Sequence, residues 1–214
     1  MDEDIAIINA KTRNQRIKDF FINNKKKIII LFSILVLIIF GYFFYDEYKK
    51  RNKLKLADKF NILSMKFISG NEKNIEKEMI KIVESKDKTY SPLALYFLID
   101  HNLIDTSEEI NRLFDIIINE TKLDKEIKNL NIYKKALYNS EFSSENDLIK
   151  ILNPLINSDN IWKSHSLYLL AEYFLSKGET IKSKEFLQKI LIMEDGDPKI
   201  KLEARKRIER DFSE

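Results

Sequence analysis

The sequence predicts an all-α protein, with one N-terminal transmembrane helix followed by an α-solenoid of antiparallel helix pairs. Three observations lead to this prediction. Only four glycines and three prolines occur among the 214 residues, which disfavours a turn-rich all-β fold and favours long helices. Residues 28–45 form an uncharged, mostly apolar run. From residue 46 onward, apolar residues recur at helical spacing and strand-like alternation is missing.

The apolar run 28–45 is predicted to be a permanent membrane anchor. As a helix rising about 1.5 Å per residue it would span roughly 27 Å, close to a hydrocarbon core of about 30 Å. Two alternatives fit less well. A buried helix of a soluble protein rarely lacks a polar stripe over so long a run. A cleaved signal peptide needs small residues at its exit, and here bulky rings follow Gly41.

The charges beside the apolar run leave its orientation open. Seven Lys or Arg lie within about 20 residues on its N-terminal side and six on its C-terminal side, which is nearly a tie under the positive-inside rule. A cytosolic body is therefore an open alternative at this point. The whole net charge of +3 belongs to residues 1–27, because residues 46–214 contain 30 basic and 30 acidic residues. Nucleic-acid binding needs clustered positive charge, so we expect no nucleic-acid partner.

The remaining chain is predicted to consist of helices only. A juxtamembrane helix at 46–70 carries an apolar stripe that stops at Gly70 and could continue directly from the membrane span. The stripe consists of Leu56, Phe60, Leu63 and Phe67. The segments are thus a tail at 1–27, a transmembrane helix at 28–45, this juxtamembrane helix, and a helical repeat domain at 71–214.

Helix pairs begin near residues 91, 126 and 161, and a spacing of 35 is close to the tetratricopeptide period of about 34 residues with two antiparallel helices per unit. The last pair fits this pattern in detail. Leu167, Leu170, Ala171 and Phe174 occupy packing positions of its first helix, Gly178 lies in its turn, and Ser183 and Leu187 occupy positions of its second helix. The repeat domain is therefore predicted to be tetratricopeptide-like. An ordinary bundle of helical hairpins is the alternative.

Local signals predict several helix ends. Thr106 to Glu109 fits a capping box. Pro154 lies inside an apolar helical pattern and is expected to kink or end that helix. The helix after Pro198 has only a narrow apolar stripe, as expected of a solvent-facing capping helix.

Two segments, "TYSPLALYFLIDHNLID" (89–105) and "WKSHSLYLLAEYFLSKGE" (162–179), follow the apolar run at the distances found in a bacterial family. In this layout the chain resembles the YfgM-type ancillary subunits of the Sec translocon. The resemblance implies a cytoplasmic tail, one helix in the inner membrane and a periplasmic tetratricopeptide-like domain. It also implies protein partners, namely translocon subunits, periplasmic chaperones or emerging secreted chains.

Catalytic, cofactor and metal signatures are missing from the sequence. His101 and His165 are the only histidines, lie 64 residues apart and belong to no metal-binding motif. The chain has no cysteine, which excludes disulfides and thiolate zinc sites. A glycine-rich phosphate loop and a serine nucleophile turn are both missing. We predict no enzyme activity, no cofactor, no metal and no small-molecule substrate. A hidden hydrolase or enzyme accessory subunit would need a polar pocket with a perturbed titratable pair.

The candidate binding surface is the concave groove that stacked repeats would form. The first helix of the clearest pair would present five residues to it, and other helices could add aromatic or histidine side chains. The candidates are His165, Tyr168, Glu172, Leu175, Ser176, Tyr96, His101, Tyr133 and Trp162. Core packing is the alternative for each aromatic ring, and Trp162 in particular could fill the gap between neighbouring repeats.

The predicted function is a membrane-anchored protein–protein interaction module, ancillary to the Sec translocon. The alternative is a structural scaffold for another complex of the cell envelope, in cell division or respiratory assembly.

Overall fold

The computed structural model describes residues 15–16, 18–70 and 74–212, which are mostly helical and contain no strand. The all-α prediction is thereby confirmed. The helices are α1 (Lys25–Ile68), α2 (Ile75–Glu84), α3 (Tyr90–Asp100), α4 (Ser107–Asp115), α5 (Lys125–Asn139), α6 (Glu145–Ile156), α7 (Lys163–Ser176), α8 (Thr180–Ile192) and α9 (Pro198–Asp211). A π-helical turn, Ile116–Glu120, directly follows α4.

The chain divides into two compact units, Met1–Lys55 and Leu56–Glu214. In the first unit, α1 contains the apolar run, and the side chains of Leu37 and Phe44 are 70% and 74% exposed. Among the described residues, α1 is the one helix long and apolar enough to cross a membrane, and none of its most apolar window is buried. A core helix of a soluble protein would bury this surface. The predicted bounds of the four segments stay predictions.

Helix ends in the second unit follow the local sequence signals. The side-chain oxygen of Thr106 accepts a hydrogen bond from the backbone N–H of Glu109 at 3.4 Å, which caps α4 as the capping-box pattern predicts. Gly178 has a φ of 77°, a left-handed conformation that glycine adopts without steric cost, in the turn between α7 and α8. Helix α6 continues through Pro154 and ends at Ile156, two residues later, so the helix does not end at the proline.

The predicted helix pairs are present. Their first helices begin at Tyr90, Lys125 and Lys163, close to the predicted positions 91, 126 and 161. In the last pair, the predicted packing residues of both helices are buried. Ala171 and Ser183 are completely buried, and such small side chains allow α7 and α8 to approach closely.

Side-chain contacts also connect every second helix. The Tyr96 hydroxyl reaches the Asn131 side chain at 2.8 Å, which joins α3 to α5. Arg112 contacts Glu84 at 2.9 Å, which joins α4 to α2. Because consecutive helices pair and alternate helices touch, the second unit has two helix layers, as in repeat solenoids. We call the exposed surface of α3, α5, α7 and α9 the odd-helix face.

The last turns of α1 pack on α2 and α3 through side chains. Leu63 is only 8% exposed and belongs to the main hydrophobic core. The rings of Phe60 and Phe67 lie 6.2 and 5.4 Å from the ring of Phe97 on α3. The end of α1 therefore occupies the place of a first helix before α2, a pairing that the sequence did not indicate.

Glu78 is expected to make the free energy of unfolding sensitive to acid. Hydrogen bonds from Lys59 on α1 and then from Lys81 lower the pKa of this carboxyl from 4.5 to about 2. A carboxyl whose pKa is lowered by folding stabilises the fold above its unfolded pKa, and this stabilisation is lost as the pH falls through the folded pKa. The loss should occur between about pH 4.5 and about pH 2, and it should be small because the ion pair is at the surface.

The measurement is urea unfolding at several pH values, followed by the fluorescence of Trp162, the single tryptophan. The native chain should lose more stability across this window than Glu78→Gln. An exposed control, Glu185→Gln, should behave as the native chain does. Identical pH profiles for Glu78→Gln and the native chain would contradict the assignment.

Candidate functional site

The predicted groove residues lie on the odd helices or directly beside them, but they form several separate clusters. Tyr96 lies where α3 meets α5, and Tyr133 and His165 lie where α5 meets α7. Tyr168 and Glu172 lie where α7 meets α9. Three of the other four candidates take no part in these contacts. They are His101, Leu175 and Ser176, of which Ser176 donates its hydroxyl to the backbone oxygen of Tyr173 at 2.8 Å.

Tyr96 joins α3 to α5 through a partly buried hydrogen bond. Its hydroxyl donates to the side-chain oxygen of Asn131, which is completely buried. The ammonium of Lys134 lies 3.9 Å from the centroid of the Tyr96 ring, a cation–π contact. Burial raises the pKa of the Tyr96 phenol. This hydroxyl therefore stays a protonated donor at neutral pH and holds the two helices together.

Replacing Tyr96 with phenylalanine is expected to lower the free energy of unfolding by about 1–3 kcal/mol, because the buried oxygen of Asn131 would lose its hydrogen-bond donor. Urea unfolding measures the loss. Tyr90→Phe is the matched control, since the Tyr90 ring packs on Phe60 at 6.0 Å and its change should stay within about 0.5 kcal/mol. Equal losses in both variants would contradict a special role for the Tyr96 hydroxyl.

Tyr133, Trp162 and His165 form a packed group of rings between α5 and α7. The Tyr133 and Trp162 rings stack with centroids 5.5 Å apart, and the His165 ring lies 5.3 Å from that of Trp162. Within the described part of the chain, Trp162 Nε1 and His165 Nδ1 are buried without hydrogen-bond partners. Burial also raises the pKa of Tyr133. These contacts agree with the alternative expectation that the rings fill the gap between neighbouring helix pairs.

Glu172 is engaged by Arg207 and ties α7 to the last helix. Arg207 Nε donates to one carboxylate oxygen of Glu172 at 2.7 Å, and a second guanidinium nitrogen donates to the other oxygen. Such a two-point contact is stronger and more directional than a single ion pair. It raises the pKa of the Arg207 guanidinium, and burial, followed by the Glu172 charge, raises the pKa of Tyr168. The Glu172 carboxylate is therefore already satisfied within the fold.

His101 lies at the junction of α1 and α3, away from the other histidine. Its ring centroid is 4.4 Å from the rings of both Phe67 and Phe97. The side chain is nevertheless exposed. Among the described residues, no three His, Asp or Glu side chains come close enough to hold a metal ion.

A groove between α3 and α5 contains a surface that the sequence analysis missed, apart from Tyr96. We call it the α3–α5 groove; its volume is about 420 Å³. It is lined by aromatic, aliphatic and charged side chains of α3, α4, α5 and the turn after α5. These are Tyr96, Ile99, Asp100, Phe114, Lys134, Leu137, Tyr138, Glu141 and Phe142.

One sequence signal could have indicated part of this groove. Tyr96 contacts Asn131, and Glu172 contacts Arg207, and in both pairs the partners are 35 residues apart. The helix-pair spacing of 35 residues therefore predicts which residues of neighbouring odd helices face each other. Adding 35 to the position of Tyr96 gives Asn131, which identifies the part of α5 that lies beside Tyr96. Phe142 lies in the turn after α5, where helical periodicity gives no information.

A family model described as a tetratricopeptide repeat-like domain matches residues 18–103. The match extends over α1, α2 and α3, and it includes the last turns of α1 that pack on the next two helices. No curated protein and no solved structure matches the chain. The helix pairs and this match agree on a tetratricopeptide repeat-like domain, a kind of domain that typically binds other proteins rather than catalysing a reaction.

Proposed function

We propose that this chain is a membrane-anchored interaction protein whose tetratricopeptide-like domain binds other proteins beside a membrane. One observation supports this most strongly: an apolar helical segment exposed on all sides occurs in the same chain as a tetratricopeptide repeat-like domain. Tethering raises the effective concentration of a weak binding surface near partners at the membrane. This function requires no chemistry at the binding surface.

The specific partners that we propose are subunits of the Sec translocon, together with periplasmic chaperones or secreted chains that emerge from it. This part rests on the resemblance of segments 89–105 and 162–179 to the YfgM-type ancillary subunits. It places the tail 1–27 in the cytoplasm, the span 28–45 in a bacterial inner membrane and the segments 46–70 and 71–214 in the periplasm. A long C-terminal domain crosses largely regardless of its charge, so the even charge balance is compatible with this topology.

Site-specific photocrosslinking in native membranes tests the proposal. The crosslinking amino acid is placed at Leu93, Ser176 and Leu202, which are exposed on three odd helices, and at Ile181 on α8 as a control. The odd-helix positions should crosslink to translocon subunits, chaperones or secreted precursors, and Ile181 should not.

Two results would contradict the proposal. Crosslinks formed only to subunits of a cell-division or respiratory complex would favour the scaffold function instead. An absence of any protein crosslink from the three odd-helix positions would contradict the proposed translocon, chaperone and secreted-chain partners.

A further inference from the structure

We infer that the α3–α5 groove binds an apolar side chain from a basic peptide segment of a partner protein. The inference rests on the proposed function, because it assigns a partner chemistry to the same odd-helix face. Three features of the groove support it: its apolar surface, the unpaired charges at its edge and the helix ends that meet there.

The apolar surface extends from solvent to the core. Leu137 and Phe142 are 48% and 53% exposed at the edge of the groove. The Phe142 ring lies 5.3 Å from the Tyr138 ring, which in turn lies 6.4 Å from the ring of buried Phe114. Apolar side chains exposed together beside a groove indicate an interaction site more strongly than isolated ones do. A volume of about 420 Å³ lies within the usual range of about 300–1,000 Å³ for small-ligand pockets, so the groove can accept one large side chain.

Two carboxylates at the groove are without a charged partner among the described residues. Asp100 and Glu141 are both exposed groove residues. Neighbouring carboxylates on α4 are paired instead, since Glu109 contacts Arg112 at 2.7 Å and Asp115 contacts Lys135 at 2.7 Å. Arg112 and Lys135 therefore already pair with carboxylates of α4. The carboxylates of Asp100 and Glu141 stay available to a partner.

The other charged side chains near the groove leave it with an excess of negative charge. Among the residues that the structure describes, Lys134 is the one cation lining the groove, and its ammonium lies over the Tyr96 ring. Glu108 is close enough to contribute, after burial, to the raised pKa of Tyr138. Acidic groups therefore outnumber basic ones, and an acidic edge favours a partner segment with Lys or Arg.

The helix ends add to the negative potential. Helix α3 ends at Asp100 and α5 ends at Asn139, so both C-termini lie at the end of the groove that Glu141 lines. A helix C-terminus carries about half a negative charge, which favours a nearby cation. The structure therefore offers a pocket for one apolar side chain, with negative charge for a basic residue next to it.

Binding of short peptides to the full chain in phosphatidylcholine nanodiscs tests the inference. The probe is a fluorescent peptide in which lysines flank one phenylalanine, and anisotropy measures its affinity against empty nanodiscs. A peptide with glutamate in place of lysine and one with alanine in place of phenylalanine are the matched probes. The lysine–phenylalanine peptide should bind about tenfold tighter than the glutamate peptide, because like charges at the groove oppose the latter. It should also bind tighter than the alanine peptide.

Charge-neutral variants locate the binding site. The pair Asp100→Asn and Glu141→Gln should weaken binding of the lysine–phenylalanine peptide about fivefold, the effect expected from two exposed charge contacts. The control pair Asp159→Asn and Glu185→Gln removes the same charge at exposed positions elsewhere and should change the affinity by less than about twofold. An equal loss in both pairs would overturn the site, because it would indicate general charge attraction.

Other results would overturn the inference while leaving the proposed function testable separately. Binding no stronger than to empty nanodiscs, or equal binding of the glutamate peptide, would reject the basic–apolar partner. If crosslinks to proteins still form from Leu93, Ser176 and Leu202, the proposed function stands without this groove. Selective peptide binding without any crosslinks would support the groove and contradict the proposed translocon partners.

Discussion

Replacing Ile34 and Ile38 together with arginine is expected to release the chain from the membrane. Both side chains lie near the middle of the apolar run and are at least half exposed. Each arginine costs about 2.5–3.5 kcal/mol at the centre of an inserted helix, so the pair should cost about 5–7 kcal/mol. The measurement is the fraction of chain that floats with membranes in a density gradient after alkaline carbonate treatment.

The matched control is the pair Ile34→Ala and Ile38→Ala, which removes apolar surface without adding charge. This variant should still float with the membranes, because alanine costs far less than arginine at the helix centre. If the double-arginine variant floats as completely as the control, residues 28–45 are not the anchor, and the membrane part of the proposed function fails.

Replacing Phe174 with alanine is expected to lower the free energy of unfolding by about 3–5 kcal/mol, the usual loss for a phenylalanine deleted from a core. Phe174 is 1% exposed on α7, and its ring stacks on that of Phe186 with centroids 5.5 Å apart. Deletion therefore leaves a cavity between α7 and α8. Urea unfolding followed by Trp162 fluorescence measures the loss.

Phe142→Ala is the matched control, because it deletes the same side chain from a position that is 53% exposed. Its loss should be about 1 kcal/mol or less, since surface substitutions have small effects. Similar losses in the two variants would contradict the placement of Phe174 in the core between the last two paired helices.

The parts of the fold that were predictable from sequence are those that depend on one helix at a time. Leu167, Leu170 and Phe174 repeat at helical spacing, and all three are buried. Gly178 lies in the predicted turn and Thr106 caps the predicted helix. The spacing of apolar residues shows which face of a helix is buried, and capping residues show where the helix begins and ends. Both signals lie within the helix's own segment of sequence, so these features could be predicted without knowledge of tertiary contacts.

The parts that were not predictable depend on which helices become neighbours. The last turns of α1 pack on α3 through Phe60 and Phe67, which lie 37 and 30 positions before their common partner Phe97, and helical periodicity does not connect residues so far apart in the sequence. The π-helical turn Ile116–Glu120 also lacked a signal, because its isoleucines are buried as they would be in an α-helix. Tertiary packing decided the first feature, because the contact of α1 with α3 joins segments that are distant in the sequence.

The candidate site was predictable as a face but not residue by residue. Tyr133 and Trp162 were expected either in a groove or in the core, because aromatic side chains are common in both places. In the structure the Tyr133 and Trp162 rings pack against each other, and Glu172 pairs with Arg207. The residues left available on the odd-helix face include Asp100 and Phe142, whose roles depend on the neighbouring helices and not on their own positions in the sequence.

The membrane anchor and the side on which the repeat domain lies are tested together by cysteine labelling. Because the native chain has no cysteine, a single cysteine reports only its own position. Lys18→Cys and Asp159→Cys place it on either side of the apolar run, both at exposed positions. A membrane-impermeant maleimide should label Asp159→Cys in intact spheroplasts and should label Lys18→Cys only after permeabilisation. Labelling of Asp159→Cys only after permeabilisation would contradict a periplasmic, membrane-anchored interaction domain.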